Sequence, residues 1–140
     1  MKEITVAAEI ANLERVTAFV EEALEELDCP MKPLMQFNVA VDELFSNIAL
    51  YAYPSGTGEV TVRVSGEEAC GETAGRVLAV TFIDQGTPYN PLEKQDPDVT
   101  LSAEDRPIGG LGIFMVKKSM DEVRYEYRDG SNVLCIRKRV

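Results

Sequence analysis

FNVAVDELFSNIALYAY, residues 37–53, decides how this chain is read. At about 100° per residue on a helical wheel, Leu34, Phe37, Val41, Leu44, Phe45, Ile48 and Ala52 gather on one side and must seek a core. Glu43 and Asn47 fall on the opposite side, at i, i+4 spacing and so one above the other. A carboxylate and a carboxamide stacked this way can hold a divalent ion, a water or a hydroxyl. Taken alone, the pair reads as a solvated polar face. Two glycine-bearing segments further along change that balance.

Working outward from this helix, Cys29-Pro30-Met31-Lys32-Pro33 breaks the pattern upstream, and Pro33 is placed to be the first helical residue. Residues 11–27 form an amphipathic helix by spacing, with Asn12 as N-cap. Glu21, Glu22, Glu25 and Glu26 decorate its outer side, most simply for solvation. Glu3 to Glu9 alternates weakly and reads as an opening strand. Downstream, the breakers between Tyr53 and Gly58 end the central helix.

Glu59 to Ser65 alternates as a half-buried strand, Gly66 to Gly75 reads as a loop, and Arg76 to Ile83 reads as a central strand. Together they predict an antiparallel hairpin with a long loop. Residues 93–108 are polar, twice interrupted by proline and without periodicity, which suits a lid or a disordered segment. Gly109-Gly110-Leu111-Gly112 then opens a short helix. A last hairpin runs from Val123 to Val140 through an Asp129-Gly130 turn. The expected fold is α/β, a two-layer sandwich of a mixed five-stranded sheet with three helices on one face, over a single domain of residues 1–140.

Composition narrows the function. The 140 residues carry a formal charge of −10, spread along the chain, which argues against a general grip on nucleic acid or anionic lipid. No stretch is long enough to span a bilayer and no signal-peptide pattern opens the chain, so the cytoplasm is the expected compartment. Cys29, Cys70 and Cys135 have neither zinc nor disulfide spacing and read as small apolar residues. Histidine is absent, so proton transfer by this chain must use Asp, Glu, Lys, Tyr or Cys.

Two further motifs carry candidate chemistry. In Gly109-Gly110-Leu111-Gly112, glycines let the backbone approach oxygen atoms, and the unpaired N–H groups of a first helical turn favour an anion. Such turns often only reverse the chain, and no Walker A lysine follows. Asp84-x-Gly86 ends a strand; it is either a plain turn or a fixed acceptor for an exocyclic amine beside a glycine that admits a flat base.

Glu43-x-x-x-Asn47, Asp84-x-Gly86 and Gly110-x-Gly112 in this order resemble the Bergerat-type ATPase superfamily. AVDELFSNI, FIDQGTPYNPL and GGLGIFMVKKSMDEVRYEY are most similar to the small anti-sigma-factor serine kinases of bacterial partner switching. That resemblance implies a Bergerat fold, with ATP and Mg2+ as cofactors. It implies Glu43 as general base, Asn47 as magnesium ligand, and Asp84 with Gly86 on adenine. Gly109, Gly110, Leu111 and Gly112 would lie against the phosphates, with Arg106 the nearest candidate to reach the γ-phosphate. Tyr51, where relatives often carry histidine, and Pro88, where the wider superfamily has glycine, are departures.

The implied activity is transfer of the γ-phosphoryl of ATP to a serine or threonine of a STAS-type anti-anti-sigma protein. A sigma factor as second partner and a homodimer are implied as well. The alternative is a non-catalytic module that switches partners on binding ATP or ADP. The ATP-binding piece of a histidine kinase fits poorly, since the chain offers neither histidine nor a dimerising helical region.

Overall fold

The computed structural model describes residues 1–54, 56–69, 75–93 and 111–140. The strands are β1 (Lys2–Ala7), β2 (Glu59–Ala69), β3 (Gly75–Asp84), β4 (Glu122–Arg128) and β5 (Ser131–Arg139). The helices are α1 (Leu13–Glu26), α2 (Met31–Tyr51) and α3 (Leu111–Ser119), with short 3-10 turns at Ile10–Asn12 and Pro91–Glu93. The strands form one sheet in the order β1-β2-β3-β5-β4.

Every pairing in that sheet is antiparallel, so the expectation of a mixed sheet is corrected to an antiparallel one. The physical reason is connectivity. Hairpins make β2–β3 and β4–β5, and the α1–α2 pair returns the chain to run β2 against β1. β3 is central, as its apolar run predicts. Val60, Val62 and Val64 of β2, Leu78, Val80 and Phe82 of β3, and Leu134 and Ile136 of β5 alternate inward. They meet Phe37, Val41, Leu44 and Phe45 of α2, Val16, Val20 and Leu24 of α1, and Ile113 and Val116 of α3 in one apolar cluster.

Two boundaries and one cap differ from the expectation. β2 continues to Ala69 and pairs with β3 as far as Ala69 opposite Gly75, so most of the expected loop is strand. Glu67 and Glu68 lack apolar alternation there, but the ladder carries them. Helix α2 starts at Met31 with Pro30 as N-cap, two residues before Pro33. Pro33 is tolerated because the N–H groups of a first turn have no intrahelical partner. Asn12 does stand at the α1 N-cap, yet its side chain makes no capping bond and its Nδ2 donates instead to Ala7 O at 2.9 Å.

The α1–α2 link is sharp. Asp28 takes a left-handed conformation (φ 56°). Arg76 of β3 donates to the free carbonyls of Leu27 and Asp28 at the end of α1. At the last hairpin Asp129 (φ 52°) and Gly130 (φ 80°) form the two-residue turn that the sequence predicts. No helix of the described residues is long and apolar enough to cross a membrane.

Candidate functional site

Helix α2 builds one wall of the site. Its apolar stripe packs on the core and, through Leu44, Ile48 and Ala52, also lines the cleft, while Glu43 and Asn47 lie off that stripe. Glu43 and Asn47 are half-buried on the side toward α3. Asn47 Nδ2 donates to Glu43 Oε1 at 3.3 Å. A carboxylate only accepts, so the amide must present nitrogen to Glu43 and keeps its Oδ1 for another partner. Gly112, in the first turn of α3, lies directly against Glu43: a β-carbon there would collide with the carboxylate. A side chain at 112 would thus displace the end of the flexible Glu43 side chain, and the start of α3 meets the acidic helix edge.

The end of β3 builds the second wall. Asp84 is buried, with 4% of its surface exposed. Its Oδ1 accepts from Gly86 N at 2.8 Å and from Asn132 Nδ2 at 2.9 Å. The turn that follows is clamped to the end of α2, where Thr87 N donates to Ala52 O at 2.8 Å. A β-carbon on Gly86 would strike that same Ala52 carbonyl. Close packing of turn against helix end is thus a sufficient cause for the glycine, separate from any role in admitting a base.

Tyr53 ties the region together. Its hydroxyl donates to Glu59 O (2.7 Å) and accepts from Gln85 N (2.8 Å). Burial is the main reason its phenol is pushed above the ordinary tyrosine range; the negative charges of Asp84 and Glu59 add to this, and the Gln85 hydrogen bond opposes it.

Between these walls lies a cleft of ≈ 430 Å³, its open mouth included. Asn47, Asp84, Thr87, Tyr89, Tyr125 and Asn132 give it polar atoms, and Leu44, Ile48, Ala52 and Leu134 make it largely apolar. Two sequence-predicted residues, Asn47 and Asp84, therefore share one hollow. Glu43 and Gly112 are in contact with each other and one helical turn from Asn47. Leu111 opens α3. Arg106, Gly109, Gly110 and most of the expected lid lie outside the described residues.

Sequence reasoning missed Asn132, Tyr89 and Tyr125. Asn132 is buried (6% exposed) and its amide is satisfied at both ends. Nδ2 donates to Asp84 Oδ1 and to Thr87 O (3.1 Å). Oδ1 accepts from Tyr89 N (3.2 Å) and from the Tyr125 hydroxyl. One signal was available: 132 is an inward position of β5, in phase with Leu134 and Ile136, and an asparagine there needs polar partners.

No group of three or more Asp, Glu or Cys among the described residues forms a cage for a metal ion. A lone asparagine oxygen does suit Mg2+, which keeps several waters and binds through one or two protein oxygens plus phosphates.

Comparison with known proteins places the chain in a family. A family profile described as "Histidine kinase-like ATPase domain" matches residues 6–138. The chain belongs to that family. Its membership implies a site for ATP.

Among curated relatives of this ATPase-family chain is an anti-sigma F factor of Clostridium acetobutylicum. It is 25% identical over 132 residues, covering 94% of this chain and 86% of that protein. The serine-protein kinase RsbW of Listeria monocytogenes is 31% identical over 121 residues, or 83% of this chain and 66% of the kinase. The serine/threonine-protein kinase BtrW of Bordetella bronchiseptica is 26% identical over 101 residues, 70% of this chain and 65% of that one. The chain thus spans about two thirds of either kinase. A crystal structure of RsbU and RsbW domains from Mycobacterium tuberculosis superposes on 99% of this chain and 32% of its own, with a TM-score of 0.59 and 16% identity. That likeness supports the fold.

Proposed function

We propose that residues 1–140 act as one cytoplasmic ATP-dependent protein serine/threonine kinase domain of the anti-sigma type. The observation that carries the reading is the shared cleft: Asn47 and Asp84 line it together, and Glu43 lies one turn from Asn47 against the first turn of α3. The kinase and anti-sigma names of the relatives point the same way.

In this proposal the purine amine donates to Asp84, and the phosphates run along α2 toward Gly109-Gly110-Leu111-Gly112. The N–H groups of the first turn of α3 would favour their charge there. Arg106 would reach the γ-phosphate. Asn47 Oδ1 would hold Mg2+, which when bound neutralises phosphate charge. The substrate hydroxyl oxygen forms a bond to the γ-phosphorus as the bond to the departing ADP oxygen breaks, and Glu43 receives the hydroxyl proton. Since Glu43 packs on Gly112 here, its side chain must rotate away for a phosphoryl group to enter. The phosphorylated partner would be a STAS-type anti-anti-sigma protein, a sigma factor would be the alternative partner, and the kinase would work as a homodimer.

The test is incubation with Mg-ATP and a cognate STAS partner. Phosphoserine or phosphothreonine on the partner is the expected result. Glu43→Gln should reduce transfer by about 10²–10⁴-fold while leaving ATP binding intact. Asp84→Asn should weaken ATP binding by roughly 10–100-fold, the value of a hydrogen bond to a charged acceptor. Unchanged transfer in Glu43→Gln would remove the assigned base. Tight ATP binding without phosphorylation would favour a partner-switching module that performs no chemistry.

A further inference from the structure

Asp84 has a constraint that its carboxylate alone does not explain. Both hydrogen bonds described for it end on Oδ1, from Gly86 N and Asn132 Nδ2. Oδ2 has no protein donor among the described residues, although Asp84 lines the cleft. The carboxylate is thus anchored by one oxygen and offers the other.

Asn132 sets which oxygen is free, and its own orientation is not adjustable. The Tyr89 backbone N–H can only donate, and it donates to Asn132 Oδ1 at 3.2 Å. The Thr87 carbonyl can only accept, and it accepts from Nδ2 at 3.1 Å. Reversing the amide would set donor against donor and acceptor against acceptor, in a residue with 6% exposure. The Tyr125 hydroxyl adds a further bond to Oδ1. Turn, strand β4 and strand β5 therefore all fix one amide pose, which in turn fixes Asp84.

We propose that Asn132 is a positioning residue for base selectivity. By occupying Asp84 Oδ1 it leaves Oδ2 as an acceptor in the cleft, so that a purine with an exocyclic amine is taken and one with an oxo group at the same position is refused. An oxo group would set oxygen lone pairs against a carboxylate oxygen, with no donor between them. The claim rests on the nucleotide reading of the cleft and adds a determinant outside the three sequence motifs.

The test compares ATP with ITP, which differ at that position by amine against oxo, using calorimetric titration of the full chain. The wild type should prefer ATP by at least about tenfold. Asn132→Leu, similar in size but without a donor, should cut that preference by about tenfold, because Asp84 Oδ1 then keeps only the Gly86 N–H bond and the carboxylate is less firmly oriented. A purely structural role would weaken both nucleotides equally and leave the ratio unchanged; that result overturns the proposal. Should Asn132→Leu fail to fold, Asn132→Ser serves, since it is too short to reach Asp84 and should also lower the ratio; an unchanged ratio again overturns it. A wild type that binds neither nucleotide defeats the nucleotide reading itself, and the selectivity claim falls with it. A wild type that binds both equally defeats the selectivity claim alone.

Discussion

Glu43 and Asp84 are both carboxylates, and their surroundings separate their roles. Asp84 is buried and held at one oxygen by two donors, which suits recognition. Glu43 is half-buried, bonded through Asn47 and pressed on Gly112, which suits a group that must meet a reacting atom. Gly112 gives a direct test. Gly112→Ala should push the Glu43 side chain out of place and lower phosphoryl transfer, while adenosine binding at the Asp84 end stays within about twofold, since among the described residues no hydrogen bond joins Glu43 or Gly112 to Asp84. Equal loss of both would mean that α3 and the whole cleft shift together. The positions of Glu43, Asn47 and Asp84 were legible from sequence, on one helical stripe and at one strand end, while their chemical roles came only from the three motifs together and the family resemblance. Asn132 was not, because a single polar residue in a strand gives no local sign of the partner it meets 48 positions away.

At the scale of elements, the site depends on the junction between the end of α2 and the turn after β3. Thr87 N and the missing side chain of Gly86 both address Ala52 O. Gly86→Ala should therefore destabilise the fold by about 1–3 kcal/mol through overpacking against backbone. Urea denaturation would read this as a lower midpoint at unchanged slope. No loss of stability would mean that the glycine serves the ligand and not the junction. Periodicity gave the elements but not their edges. β2 outruns its apolar alternation because ladder pairing with β3 sustains Glu67, and α2 begins before Pro33 because a first turn does not need that N–H. The antiparallel sense of β1 against β2 depends on how two intervening helices return the chain, and strand patterns alone do not encode that.

At the scale of the whole molecule, two half-buried groups tie stability to alkaline pH. Burial pushes the Cys29 thiol above its ordinary value of 9.0, against the pull of the Arg76 charge. The Tyr53 phenol is raised above its ordinary 10.0. In both cases the unfolded chain releases its proton first. Their contribution is complete below the unfolded values and is lost as pH rises through the folded ones. Thermal melting should thus be insensitive to these groups below pH ~9 and fall above it. The variant Tyr53→Phe should show a weaker fall, and an identical fall would remove Tyr53 as a contributor. The net charge of −10 also means that a polyanionic nucleotide must be held by local backbone and side-chain donors, since the overall field opposes it.

The acidic edge of α2, the end of β3 and the start of α3 should enclose one nucleotide. A crystal structure with magnesium and a non-hydrolysable ATP analogue would show this. The purine amine should lie on Asp84 Oδ2, the metal on Asn47, and the phosphates at the turn leading into α3. A nucleotide bound on another surface, or a purine in the cleft with its amine turned away from Asp84, would contradict this arrangement.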